Sequence, residues 1–146
     1  MSKVYWDTML FIYLLEDTDN KAERVASIYE SMSRRGDTLC ASFFTLAELL
    51  VGPRKQGDGG LEQRIVGFFE SGAVKILPFD QSAAKRFADI RAGGKISCAD
   101  AIHLSCAAAS GVDLFLTHDS TVQKAMINGI HFIDGLQTTV LGARLD

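Results

Sequence analysis

No part of this chain is apolar for long enough to cross a bilayer. The longest such run, Met9 to Leu15, is seven residues, against the roughly 20 that a spanning helix needs. No secretory leader is expected either, because Lys3 passes straight into the strand-like Val4-Tyr5-Trp6. A cytoplasmic protein with no membrane association is therefore expected. Cysteine is scarce: Cys40, Cys98 and Cys106 include no CxxC pair and leave one unmatched. In apolar surroundings such residues behave as small reduced hydrophobes, which excludes a disulfide framework and argues against zinc. Positive charge is in deficit as well. The net charge of −3 is unsuited to gripping a polyanion by bulk electrostatics, although it leaves room for acids gathered round a metal ion. The local basic groups Arg34-Arg35, Arg54-Lys55, Lys85-Arg86, and Arg91 with Lys95 read first as solvated helix ends.

The 146 residues contain no internal repeat or low-complexity tract, and their length suits one domain spanning 1–146. Short β-rich runs at 4–7, 38–41, 74–77, 114–117 and 131–133 alternate with longer helical stretches. That alternation predicts βαβ units and a central, mainly parallel five-stranded sheet with helices on both faces. Ala22, Val25, Ala26, Tyr29 and Met32 form an apolar stripe at helical spacing, as do Leu61, Ile65 and Phe68. Ala83, Phe87 and Ile90 mark a third helix, started by Asp80. The stretch 99–109 is apolar almost all round and belongs deep against the sheet. Residues 52–60, with Pro53 and three later glycines, read as a loop. Gly93-Gly94 is a second turn point, and from Gly135 onward the pattern weakens, with Val140-Leu141 expected to pack on an edge or a partner.

Four acids stand where strands end and helices begin. Asp7 follows Val4-Tyr5-Trp6, and Asp119 follows Leu114-Phe115-Leu116-Thr117-His118; either could simply cap the next helix. Glu48 in Thr45-Leu46-Ala47-Glu48, and Asp100 in Ser97-Cys98-Ala99-Asp100, both match the capping box. Each acid alone is ambiguous, and for Glu48 and Asp100 capping is the simpler reading. In an open parallel sheet, however, all four fall at one edge, where ligands bind. Carboxylates gathered there repel one another unless a cation neutralises them, and an all-oxygen set suits Mg²⁺ or Mn²⁺. The chemistry of such a site is metal-assisted phosphodiester hydrolysis by water, which leaves a 5′-phosphate and a 3′-hydroxyl. No side-chain nucleophile is evident.

Val-Tyr-Trp-Asp-Thr (4–8) with Phe11-Ile12-Tyr13, Thr-Leu-Ala-Glu-Leu (45–49), Ser-Cys-Ala-Asp-Ala-Ile-His-Leu (97–104) and Leu-Thr-His-Asp (116–119) follow one another in order. This ordered set resembles the successive signatures of PIN domains, and in particular the VapC-type toxins of bacterial toxin–antitoxin pairs. The resemblance implies a three-layer α/β/α fold and a Mg²⁺- or Mn²⁺-dependent endoribonuclease. It also implies a homodimer held inactive by a cognate antitoxin, whose basic side chain would enter the acidic pocket. By the same resemblance Asp7, Glu48, Asp100 and Asp119 hold the metal, and Thr117 supports the site by hydrogen bonding, as Thr8 could. Two departures stand out: His118 replaces a common asparagine, and Ser120, Thr121 and Val122 replace a further acid and aromatic. A second tightly bound ion is correspondingly less assured. The apolar faces of 9–15 and 22–35 are candidates for the antitoxin groove, and Lys95 and Arg54, in loops near two of the acids, for phosphate contacts.

His103, three residues after Asp100, is on roughly the metal-facing side but reads more simply as a polar residue near the helix surface. His118 could orient a neighbour of Asp119, and His131 reads as structural. A phosphoacceptor receiver domain would need a paired acid after the first strand and a Lys ending the last, and neither is present. A haloacid-dehalogenase-type phosphatase needs an Asp where Met9 stands. The remaining alternative is a catalytically silent module that binds RNA or protein.

Overall fold

A computed structural model describes residues 1–16 and 20–141. In chain order the elements are β1 (Lys3–Trp6), α1 (Thr8–Glu16), α2 (Ala22–Arg35), β2 (Thr38–Ala41), α3 (Phe43–Gln56), α4 (Gly59–Glu70) and β3 (Lys75–Ile76). These are followed by α5 (Gln81–Ala92), α6 (Cys98–Ala109), β4 (Leu114–Leu116), α7 (Ser120–Gln123) and β5 (Phe132–Asp134). The five strands form one sheet in the order β3-β2-β1-β4-β5, with every pairing parallel. All five expected strands are present, each within a residue of its expected ends.

The two faces of the sheet are set by side-chain alternation along the strands. Val4 and Trp6, with Leu39, Ala41, Leu114 and Leu116, pack into one core with α1 to α4. Tyr5, Cys40 and Phe115 point the other way, into a core completed by Leu104, Ala107 and Val122 of α6 and α7. Val4, Tyr5 and Trp6 are wholly buried, as a central strand covered on both sides must be. The result is the expected three layers, helices on sheet on helices. The apolar residues of α1 and α2, among them Leu10, Phe11, Val25 and Ile28, close on the molecule's own core. The apolar faces expected to form an antitoxin groove are therefore largely consumed, and of α1 only Met9 among the large hydrophobics stays exposed.

The stretch 52–60 is not the expected loop. Helix α3 runs through Gly52 and Pro53 to Gln56, and α4 starts at Gly59. Packing overrides composition here: Leu49 joins Leu61, Ile65 and Phe69 of α4 in one core, and Pro53 is buried. The turn is made by Gly57 alone, at φ 66°, donating its amide to the Pro53 carbonyl, while the Asp58 carboxylate caps α4. Arg54 consequently sits in a helix, paired with Glu62, and not in a loop beside the acids. At the C-terminal end of the described chain Leu136 and Leu141 enter the first core, so the weakly patterned tail packs on its own domain. Cys40 and Cys106 are buried as expected, and burial pushes both thiols up to about 11. Cys98, in the first turn of α6, is exposed instead.

Candidate functional site

The chain leaves β1 in one direction to build β2 and β3, then crosses back to add β4 and β5 on the other side. The crevice at the carboxyl ends of β1 and β4 is therefore the topological switch point, where open α/β sheets bind ligands. Trp6 pairs with Leu116 in the last register position of these two strands. Asp7 and Thr117 are thus brought side by side by the sheet itself. The Asp7 amide continues the ladder to the Leu116 carbonyl, and the Thr117 hydroxyl donates to Asp7 Oδ2 at 2.8 Å. The Thr8 amide donates to the other Asp7 oxygen, also at 2.8 Å. Thr117 is fully buried, so its single hydroxyl proton has a fixed destination. Its oxygen in turn accepts the Asp119 amide at 3.1 Å. Asp119 is the N-cap of α7, its carboxylate accepting from Thr121 and Val122, so the capping reading is correct for this acid.

Asp100 lies in the first turn of α6, where Ser97 is the N-cap and accepts the Asp100 amide. Capping accounts for its backbone, yet its carboxyl is held above the ordinary carboxylate range. Burial is the main cause, and the charges of Asp7 and Asp119 add to it, against hydrogen bonding from Ser97 and the opposing influence of His103. Acids on β1, α6 and the β4–α7 connection therefore share one field. Among the described residues, no Lys or Arg forms an ion pair with any of these three acids.

Glu48 is not a capping residue. Ser42 is the N-cap of α3 and Thr45 closes the reciprocal box, which places Glu48 in the second turn. Its carboxylate is held from two sides, by the Thr8 hydroxyl at 2.5 Å and by His103 Nε2 at 2.6 Å. Partial burial pushes this carboxyl up, but the His103 and Thr8 hydrogen bonds outweigh it and leave it below its ordinary value.

His103 corrects the sequence reading most clearly. It is 1% exposed, not at the helix surface. Its Nδ1 lies 2.7 Å from the Tyr5 hydroxyl, which also lies 3.0 Å from Ser42 Oγ, and its Nε2 is 3.9 Å from Asp7. A buried polar chain thus runs from β1 through α6 to Glu48 on α3. Tyr5 and Ser42 gave no sign of this in the sequence, since tyrosine in a strand and serine before a helix have ordinary uses. His118 reaches away from Asp119 to the Tyr13 hydroxyl at 3.1 Å. His131 precedes β5 and pairs with Asp113.

As placed, no group of three His, Cys, Asp or Glu side chains among the described residues is close enough to hold one ion directly. The donor chemistry nevertheless fits a hard divalent cation: oxygen donors, mutual repulsion and, among the described residues, no Lys or Arg paired with Asp7, Asp100 or Asp119. Mg²⁺ in particular keeps several waters and takes only one or two carboxylates directly.

Residues 4–126 match the family model described as the PIN domain. This chain belongs to the PIN domain family. No curated protein matches it in sequence. Among solved structures, this PIN domain is similar to VapBC2 from Rickettsia felis bound to a DNA fragment from its promoter. That match has a TM-score of 0.73 and 18% identity, and covers 91% of this chain and 98% of the other. DNA-bound VapBC from Salmonella typhimurium follows, with a TM-score of 0.67 and 24% identity, covering 93% of this chain and 99% of the other. VapBC-5 of Mycobacterium tuberculosis, described as a member of a family of toxin–antitoxin systems, gives 0.56 and 19% over 92% and 99%.

Proposed function

We propose that this PIN domain is a Mg²⁺- or Mn²⁺-dependent endoribonuclease, the toxin of a toxin–antitoxin pair, with Asp7, Glu48, Asp100 and Asp119 as its metal-holding residues. The observation that carries the reading is the field shared by Asp7, Asp100 and Asp119 at the switch point, which no Lys or Arg ion pair among the described residues relieves and which His103 opposes only in part. Ionised acids so arranged destabilise the empty protein, and a divalent cation relieves them. When bound, such a cation supplies an activated water and neutralises charge on the phosphate. The chain's own part is positional. Thr117 and the Thr8 amide leave Asp7 one orientation, His103 and the Thr8 hydroxyl leave Glu48 one, and the α7 amides fix Asp119. Thr117 is accordingly a supporting residue that joins Asp7 to Asp119.

The likeness to VapBC complexes supports a cognate antitoxin as partner. A homodimer is supported by Phe43 and Val51, which are eight residues apart on α3 and 68% and 50% exposed. The test is cleavage of total bacterial RNA by purified protein with Mn²⁺ or Mg²⁺, with EDTA, and by Asp7→Asn. Metal-dependent cutting that the variant lacks is the expected result. Folded protein that binds RNA but cuts nothing would instead establish a silent binding module.

A further inference from the structure

A concavity of about 1040 Å³ lies beside the carboxylates and not over them. One end opens at the acidic edge. Lys95 and Ile96, which line it, directly precede the Ser97 cap of α6, and Thr121, which also lines it, donates its amide to the Asp119 carboxylate. From there the groove runs alongside α6 to Arg86 and Asn128-Gly129. Arg86 is bonded to the Asn128 carbonyl, and Gly129 packs on the Ala108 carbonyl. From Asp100 to Ala108 the helix rises about 12 Å. A groove of this volume is at the upper end of small-ligand pockets, roughly 300–1,000 Å³.

Its charge is opposite to that of the molecule. Arg86, Lys95 and Lys124 line it against the single acid Asp89, in a chain of net charge −3. Elsewhere Arg34 is paired with Glu30, Arg35 with Asp37 and Arg54 with Glu62. Lys95 and Lys124 are exposed and have no hydrogen bond or ion pair among the described residues. Between them lie the half-buried Ile90 and Ile127, with Ile96 buried beneath.

We infer that this groove binds single-stranded RNA on one side of the bond to be cut, with Lys95 and Lys124 on its phosphates and base faces against the isoleucines. This rests on the nuclease reading and deepens it, naming the strand's path. A cationic rim that tracks the phosphates is the general mode of single-strand binding; the bases, which usually stack on aromatic side chains, here meet isoleucine. Each neutralised phosphate releases counterions, so the arrangement has a signature in salt dependence.

The experiment measures binding of a short, unstructured, labelled RNA by fluorescence anisotropy in EDTA across a salt series. It compares wild type, Lys95→Ala/Lys124→Ala, Lys95→Arg/Lys124→Arg and the control Lys55→Ala/Lys85→Ala. Loss of two phosphate contacts should lower the slope of log K against log salt by about 1.4. The arginine variant and the control should keep the wild-type slope. An unchanged slope in the alanine variant, from wild type that binds and cuts RNA, would overturn the groove and leave the nuclease standing. A variant whose sedimentation changes while its RNA binding does not would make the face a protein interface, which also overturns it. Wild type that neither binds nor cuts RNA would sink the nuclease reading and the groove together.

Discussion

Asp100 and Glu48 are displaced in opposite directions by their surroundings, and the signs have opposite consequences for stability. Asp100 has its carboxyl raised, so the folded state holds that proton more tightly than the unfolded chain does. Stability then falls as pH rises through the ordinary carboxylate range, and the penalty is complete once the raised value is passed. Glu48 has its carboxyl lowered, so its favourable contribution is present at neutral pH and is lost as pH falls through the lowered value. In metal-free protein, Asp100→Asn should therefore raise the urea midpoint at neutral pH and Glu48→Gln should lower it. Both should approach wild type in acid. Midpoints that shift the same way at neutral pH would contradict the described contacts. His103 belongs to the same argument. His103→Ala removes one partner of the buried Tyr5 hydroxyl, which keeps Ser42, and frees Glu48, at a cost of about 2 kcal/mol. Because Tyr5→Phe breaks the same chain, the double variant should cost less than the sum of the two, measured by urea unfolding. Glu48 was singled out in sequence, but its links to His103, Tyr5 and Ser42 were not legible there. Four members of this chain come from β1, α3 and α6, segments up to 98 residues apart, and only the fold says that a histidine three places after Asp100 meets a tyrosine two places before Asp7.

At the scale of elements, the strands were legible because they are short apolar runs bounded by turns, and their alternation with helices marks a parallel sheet. Asp7 and Asp119 stood out for the same reason, since a strand's end is visible in sequence, whereas Glu48 and Asp100 lie within α3 and α6. The region 52–60 misled because Pro and Gly are local signals, and Pro53 costs little when burial against α4 holds the helix together. The connection from α7 to β5 shows how demanding a single turn can be. Gly129 has φ +99°, and a Cβ there would stand 2.5 Å from the Ala108 carbonyl oxygen, a backbone atom that cannot swing aside. Gly111 also has positive φ, at +64°, but faces open space. Gly111→Ala should therefore cost about 1 kcal/mol, the left-handed backbone penalty alone. Gly129→Ala should cost more than about 2 kcal/mol, strain and displacement together. Thermal melts of the two variants separate these terms, and equal losses would mean that the close approach to Ala108 is relieved by movement of the loop.

At the scale of the molecule, a parallel sheet buried on both faces supplies the stability against which the acidic edge is set. The cores hold the carboxyl ends of β1 and β4 rigid, so the acids cannot relax apart, and their repulsion is relieved only by proton or cation. Proton relief is confined to acid. At neutral pH a bound cation should stabilise the folded state by RT ln(1 + [L]/Kd), about 2.7 kcal/mol at a hundredfold excess over Kd. For a chain of this length that corresponds to roughly 5–10 °C in melting temperature. Mn²⁺ should therefore raise the Tm of wild type, and EDTA should reverse the gain. Asp7→Asn removes one of the repelling charges, so it should melt at or slightly above metal-free wild type and respond little to Mn²⁺. A variant that gained as much from Mn²⁺ as wild type would mean that the ion binds away from Asp7, and the switch-point carboxylates would then be a structural feature of the sheet edge, not its metal centre.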